Sequence, residues 1–490
     1  MKKTAILLLC IFIGISLIVA VRTLLHSPPE ALSSNALNNK LPPDVDASNI
    51  ALHLSQAIQF PTISFQDKTK FQAGEFKKFV TWVLNTYPET AKSMELQRLG
   101  EFSLLFKWQG SEAHLKPVLL TAHYDVVPVI PGSEALWSHP PFDGIIDNDN
   151  VWGRGALDDK SAVISMLEAT ELLITQGFKP TRTVYLSFGH DEELGGPNGA
   201  ANVTRHLQSK DVQLLWSLDE GSFVTKNIIA GINNPVATIN VAEKGSVTLQ
   251  IIATADGGHS SMPPKNNAVA VLAEAITKLQ NHPVPGGLVG LSAEMLDQLS
   301  RHMPFVQRMV FANLWLFGGM LDSTLSASPM TNAMLRTTTA PTMLSGSVKV
   351  NVLPIEAIAT VNFRLHPRDT IQGLEDYVNS IVAHEQISVI RPENNGIAAS
   401  EVSDWSSEGF QLIAQSVRAV YGNIAVAPGL MVAGSDSRHY SKVADNSFRF
   451  NPMLVGPEDL TGFHGTNEKI SIDNLVKATQ TYALIIENTR

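Results

Sequence analysis

Cysteine is almost missing from this chain. Cys10 is the only one in 490 residues, so no internal disulfide can form and a cysteine-held zinc site is excluded. Any metal must be held by His, Asp and Glu. Basic residues are in deficit, 36 Lys and Arg against 46 Asp and Glu, for a formal net charge of −10. No basic stripe and no interleaving of aromatic with basic residues is present, which excludes nucleic acid as the main partner, because phosphate binding needs clustered Lys and Arg. Internal repeats are absent too. Long apolar runs free of charge are scarce, and one of them opens the chain.

That run extends from Ala5 to Val21, between Lys2-Lys3 and Arg22. As a helix it covers roughly 25 Å at about 1.5 Å per residue, which only just spans a bilayer core. A cleaved secretory signal needs small residues before the cut; Ala20 suits that place but Ile18 is bulky. Residues 1–26 are therefore read as an uncleaved signal anchor, with a cleaved signal peptide as the alternative. Either reading puts the bulk of the chain outside the cytoplasm, on the periplasmic or secreted side, and the two lysines fit a cytoplasmic N-terminus. Residues 27–48 are rich in turn formers and read as a linker arm.

At 490 residues the chain calls for two or three domains. Short apolar runs at 103–107, 117–122, 183–189 and 213–218 look like buried strands, and Ser161–Gln176 has helical spacing. Strands interleaved with helices predict an α/β fold with a mostly parallel central sheet and helices on both faces. The texture changes at 240. An alternating strand at 245–253, a helix over 267–280, an unusual apolar stretch from 290 to 345 and further strands predict an inserted α+β lid domain over 240–395. The catalytic layer then comprises 49–239 and 396–490.

Chemistry concentrates at the ends of the apolar runs. His123 and Asp125 are two apart, which in a strand puts both side chains on one face. A carboxylate there can hold one imidazole nitrogen and leave the other for a metal. Asp158 opens the helix near Lys160, Asp191-Glu-Glu193 follows another run, and Asp219-Glu220 a third. In an open α/β sheet, ligands sit at these C-terminal strand edges. Each cluster alone is ordinary: a surface pair, a helix N-terminus favouring acid, a solvated loop. Together they predict a dinuclear metal site and a hydrolase.

The motifs Ala122-His-Tyr-Asp-Val-Val-Pro128, Trp152-Gly-Arg-Gly-Ala-Leu-Asp-Asp-Lys160, Gly189-His-Asp-Glu-Glu-Leu-Gly-Gly196 and Gly258-His-Ser-Ser-Met-Pro263 resemble the aminoacylase/carboxypeptidase family of co-catalytic zinc metallopeptidases. Asn351-Val-Leu-Pro354, Gly434-Ser-Asp-Ser-Arg438 and Phe463-His-Gly-Thr-Asn-Glu468 extend the likeness. Within the family the chain is most similar to the carboxypeptidase S and secreted N-fatty-acyl-amino-acid synthase/hydrolase branches. The resemblance implies two zinc ions per subunit, with manganese or cobalt as alternatives. It implies His123, Glu193 and His464 as ligands, Asp158 as the bridge, Asp125 as the residue that orients His123, and Glu192 as the general base. Either Asp219 or Glu220 is the remaining ligand. It further implies that His259 reaches the oxyanion from the lid, often across a homodimer, with Asn351 beside it.

Arg438 is the candidate to grip a substrate carboxylate, because its planar fork matches that group; Asp436 steadies it, and Arg364 is a weaker alternative. Met309, Phe311, Leu314, Trp315, Phe317 and Met320 suit either a core or subunit contact or a greasy substrate groove. The expected activity is hydrolysis, and reversible formation, of N-acyl-amino acids with a long or hydrophobic acyl group. A carboxypeptidase S-like action on short peptides is the alternative. A non-catalytic binder of acyl amino acids or peptides is the rival from another class.

Overall fold

A computed structural model describes residues 2–28, 41–229, 231–393 and 395–489; most of the 27–48 arm lies outside them. Two sheets organise the chain. The main sheet is ten-stranded and mixed. At its centre Val184–Gly189, Val118–His123, Leu214–Asp219 and Ala444–Arg449 lie side by side in parallel. Antiparallel strands Glu95–Leu99 and Ser103–Trp108 extend one flank. On the other flank Val236–Glu243 runs antiparallel to Ala444–Arg449 and carries Ala425–Met431 in parallel. The continuous four-stranded parallel block is in the middle, where the site lies.

The central strands are apolar at nearly every position because both sheet faces are covered. Val118, Leu120 and Ala122 enter the larger core, against helices Ala47–Ile58, Lys160–Thr175, Glu408–Tyr421 and Ile472–Asn488. Leu119, between them, points to the opposite core under helix Ala200–Ser209. Gly409 is needed at the first of these contacts: a Cβ there would lie 2.5 Å from the ring of Trp216.

The chain leaves the main sheet at Lys244 and forms a second sheet of four antiparallel strands, ordered Thr338–Ser345, Glu356–Leu365, Gly245–Thr254, Ile387–Ile390. Its pattern is half-buried: Val247, Leu249, Ile251 and Ala253 alternate with partly exposed neighbours and pack against helices Ala268–Asn281 and Ile371–Ile381. Thr338–Ser345 was not legible as a strand. It carries Pro341, tolerated because this is an edge strand with a register shift between Pro341 and Met343.

The apolar stretch folds as helices Leu291–Ser300, Phe305–Ala312, Leu314–Ser326 and Pro329–Leu335. Met295, Leu299 and Met303 pack on Val236, Ala425 and Ala427 of the main sheet. This part of 240–395 therefore rests on the first sheet, not on the second. The N-terminal helix runs Lys2–Leu25, inside the expected segment 1–26 and about a turn beyond the apolar run 5–21 at each end. Arg22 Nε donates to the carbonyl of Ala312 at 3.0 Å, which draws that last turn against the body.

Leu249→Ala tests the second core. Truncating this fully buried side chain is expected to cost about 2–5 kcal/mol, read as a lower urea midpoint; an unchanged midpoint would mean that this face is not packed.

Candidate metal centre

Three parallel strands deliver the site to one edge. Val118–His123 ends on His123, Val184–Gly189 leads into Glu192 and Glu193, and Leu214–Asp219 precedes Glu220. The loop before helix Lys160–Thr175 adds Asp158, and a distant loop adds His464.

Two donor groups form there and share one carboxylate. His123, Asp158 and Glu220 bring one ligand atom each within 4.8 Å of one another, as do Asp158, Glu193 and His464. The shared residue is bifunctional in geometry: Oδ1 of Asp158 is 3.0 Å from His123 Nε2, and Oδ2 is 3.1 Å from His464 Nε2. Glu220 Oε1 stands 3.6 Å from His123 Nε2, and Glu193 Oε1 3.3 Å from His464 Nε2. Asp219 is in neither group. Its Oδ1 accepts from the Glu220 amide at 3.0 Å, and its Oδ2 is buried without a hydrogen-bond partner.

Asp125 does more than face His123. Its Oδ1 lies 3.4 Å from His123 Nδ1, while its own backbone carbonyl lies closer, at 3.0 Å. The carboxylate also accepts the amides of Glu192 and Glu193 at 3.1 and 3.2 Å and the Ser64 hydroxyl at 2.6 Å. One buried carboxylate thus fixes the imidazole and the turn carrying both glutamates.

A second clamp was not read from the sequence. Glu468 is fully buried and accepts from Arg154 Nη1 at 2.7 Å and from the amides of Leu157 at 2.7 Å and Asp158 at 3.1 Å. Arg154 Nη2 reaches the carbonyl of Gly465 at 2.8 Å. The loop of Asp158 and the loop of His464 are therefore tied through one ion pair. His464 itself has a left-handed backbone, φ 55°, a costly conformation for a non-glycine residue, which these bonds hold in place. The only signal for the clamp was a charged residue inside each of two glycine-containing motifs.

Electrostatics follow from crowding acids in a buried cleft. Glu192 is pushed well above the usual carboxylate range by burial and then by Glu220. Glu220 is raised to about 7 by burial and by Asp158. Burial acts to raise Asp158 too, but hydrogen bonds from His123 and His464 hold it below its ordinary value. Burial acts to lower His123, and its bonds to Asp125, Asp158 and Glu220 more than reverse this. Such a set suits divalent cations: mixed imidazole and carboxylate donors, two histidines drawn to a shared carboxylate, and a buried Glu193 Oε1 without a hydrogen bond.

The remaining candidates lie elsewhere. Arg438 lines a cavity of about 820 Å³ beside Leu194 and Gly195, and its guanidinium makes no hydrogen bond or ion pair among the described residues. Asp436 does not bond to it. Its carboxylate is buried beneath Gly189 and Gly196, where a Cβ on Gly196 would come within 2.0 Å of Oδ1. Burial, then Asp219, pushes Asp436 well above its usual range. His259 is exposed, bonded to Ser261 at 2.8 Å, and touches neither donor group. Asn351 is beside it, its carbonyl accepting from Ser260. Arg364 is exposed on its strand of the second sheet.

Residues 119–488 match the model of peptidase family M20/M25/M40. The chain belongs to this family. It is a metal-dependent hydrolase of amide or peptide bonds. It is 36% identical over 490 residues to an N-fatty-acyl-amino acid synthase/hydrolase of Xenopus tropicalis, covering 99% of this chain and 95% of the relative. It is 38% identical over 444 residues to the probable carboxypeptidase S-like 2 of Dictyostelium discoideum, covering 90% and 85%. Among solved structures, human carnosine dipeptidase 1 superposes with a TM-score of 0.61 at 14% identity, over 90% of this chain and 96% of that one. That last likeness concerns the fold alone.

Glu468→Gln would leave Arg154 charged and unpaired in the interior. We expect a loss of about 3–5 kcal/mol in stability, measured by denaturant unfolding; a change below about 1 kcal/mol would mean that the pair does not tie the two loops.

Proposed function

We propose that this hydrolase cleaves, and near equilibrium forms, the amide bond of N-acyl-amino acids with a long or hydrophobic acyl group. The observation that carries the reading is the pair of donor groups meeting on Asp158, in a chain so similar to an N-fatty-acyl-amino acid synthase/hydrolase. We assign His123, Asp158 and Glu220 to one zinc ion and Asp158, Glu193 and His464 to the other. Two cations held that way, when bound, lower the pKa of a water and polarise the scissile carbonyl.

The chain's own residues supply the rest. Glu192 takes a proton from the attacking water and returns it to the leaving amine nitrogen, and its raised affinity for protons suits it to hold one between those steps. Asp125 keeps Glu192 in place through the turn amide. Arg438 receives the amino-acid carboxylate, since its fork is free and faces a cavity whose wall includes Leu194, Pro197 and Ile397. An amphiphile fits that mixture of guanidinium and apolar wall. Met309, Phe311, Leu314, Trp315, Phe317 and Met320 do not line it.

His259 belongs to the site of a second copy in this reading. It is solvent-exposed, paired with Val352, and surrounded by the exposed apolar side chains Met262, Val350, Val352 and Ile355, a surface suited to a homodimer formed through the second sheet. There His259 would donate to the oxyanion, with Asn351 beside it. The N-terminal helix, long and apolar enough to cross a membrane, would tether the enzyme with its bulk outside the cytoplasm. The second reading, a carboxypeptidase acting on short peptides, is favoured by the Dictyostelium relative.

Glu192→Gln should lower kcat by about 10²–10⁴ while bound metal, measured by atomic absorption, stays at the wild-type level. Unchanged turnover would remove Glu192 from the chemistry, and a pure binder would show no turnover in either form. Across a series of N-acyl amino acids, kcat/KM should rise with acyl length and exceed that for a Gly-X dipeptide. A flat series, or a preference for the dipeptide, favours the carboxypeptidase.

A further inference from the structure

Helices Phe305–Ala312 and Leu314–Ser326 present an apolar surface that none of the described residues covers. Phe305 is 47% exposed, Val306 67%, Trp315 55% and Met320 59%, with Leu314 and Leu316 exposed between them. Between Met303 and Leu335 the only charged residues are Arg308 and Asp322. Neither charges this surface freely. The Arg308 guanidinium lies over the Phe305 ring, 5.9 Å from its centroid, and Asp322 pairs with Arg336 at 3.7 Å. From Leu314 to Leu321 the second helix has no polar side chain on any face. A helical stretch apolar all round belongs in a core or a bilayer, and of this one only Leu321 is buried.

The surface is fixed to the end of the N-terminal helix. Besides the bond from Arg22 to the Ala312 carbonyl, the fully buried Asn313 amide reaches Thr23 Oγ1 at 3.3 Å, and His26 Nε2 lies 2.8 Å from Ser300 Oγ. The rest of that helix projects from the body, and none of its apolar window is buried. Its 24 residues reach about 36 Å, longer than the ~30 Å hydrocarbon core. The docked last turn is therefore placed at the boundary of whatever apolar medium receives the helix. The exposed surface begins at the same turn.

We propose that Phe305–Ala312 and Leu314–Ser326 form a second, monotopic contact with the bilayer, seating the catalytic body on the outer leaflet beside its anchor. Trp315 sits at the level where an amphipathic ring favours the interface, its indole nitrogen 3.3 Å from Asn313 Oδ1. The proposal rests on reading the N-terminal helix as a membrane anchor. It gives that anchor an orientation: the enzyme lies down on the surface instead of swinging from a tether, and an acyl amino acid dissolved in the leaflet is met there.

Trp315 is the only exposed tryptophan of the seven, so it reports the contact directly. The full chain is reconstituted into phosphatidylcholine vesicles, with or without bromine on the acyl chains. Brominated lipid should remove emission from the wild type and remove none from Trp315→Phe, which alters an exposed side chain and should fold normally. Equal emission in both lipids overturns the surface. Iodide then tells which occupant it has instead: quenching means water, and protection with cross-linked dimers means a second copy. Alkaline carbonate extraction reads the anchor separately. A chain released by alkali lacks a span, whereas the bromolipid result still decides the surface.

Discussion

Two histidines separated by most of the chain are held apart by a single carboxylate. Asp158 offers one oxygen to His123 and the other to His464, and every other feature of the site serves to keep that carboxylate, and those two rings, where they are. The difficulty is electrostatic. Asp125, Asp158, Glu192, Glu193, Asp219, Glu220 and Asp436 converge at one sheet edge where little water remains to screen them. Acids buried together either take up protons or gain cations. Hydrogen bonds from His123 and His464 hold Asp158 below its ordinary value, whereas burial pushes Glu192, Glu220 and Asp436 upward.

Rigidity at this edge comes from backbone amides more than from side-chain pairs. Asp125 spends its oxygens on the amides of Glu192 and Glu193, and Glu468 on those of Leu157 and Asp158. Both acids are buried, so each would be destabilising alone; the amides and Arg154 offset that cost. The same pattern recurs where Glu243 accepts from Arg449 and from Ser435 behind the site. Ligands held by loops thus acquire the precision of ligands held on strands.

Much of this was legible because fully buried parallel strands are continuous apolar runs, and catalytic groups stand where such runs end. The runs at 117–122 and 183–189 end one residue before His123 and three before Glu192. Asp219 and Glu220 could not be separated in the same way. Neighbours at a strand end point to opposite sides, and which side faces the metal depends on the last residue of the strand, here Asp219. The His259 ring bonds only to Ser261 among the described residues and is in neither donor group, and its motif, being local, carries no sign of that. Arg154 and Glu468 were hidden because buried charge is recognisable only beside its partner, and theirs lies 314 positions away.

The stretch at 303–321 shows where composition stops informing. Core, substrate groove, subunit contact and lipid face all demand the same side chains, since each removes apolar area from water. What separates them is the neighbourhood. A core position is covered by its own chain, a groove opens onto the chemistry, and a lipid face adjoins another surface that is also uncovered. Helix Leu314–Ser326 meets the third description, because its N-terminal turn is joined through Asn313 to a helix as bare as itself. The apolar surface adjoins the N-terminal helix and takes no part in lining the cavity next to Arg438.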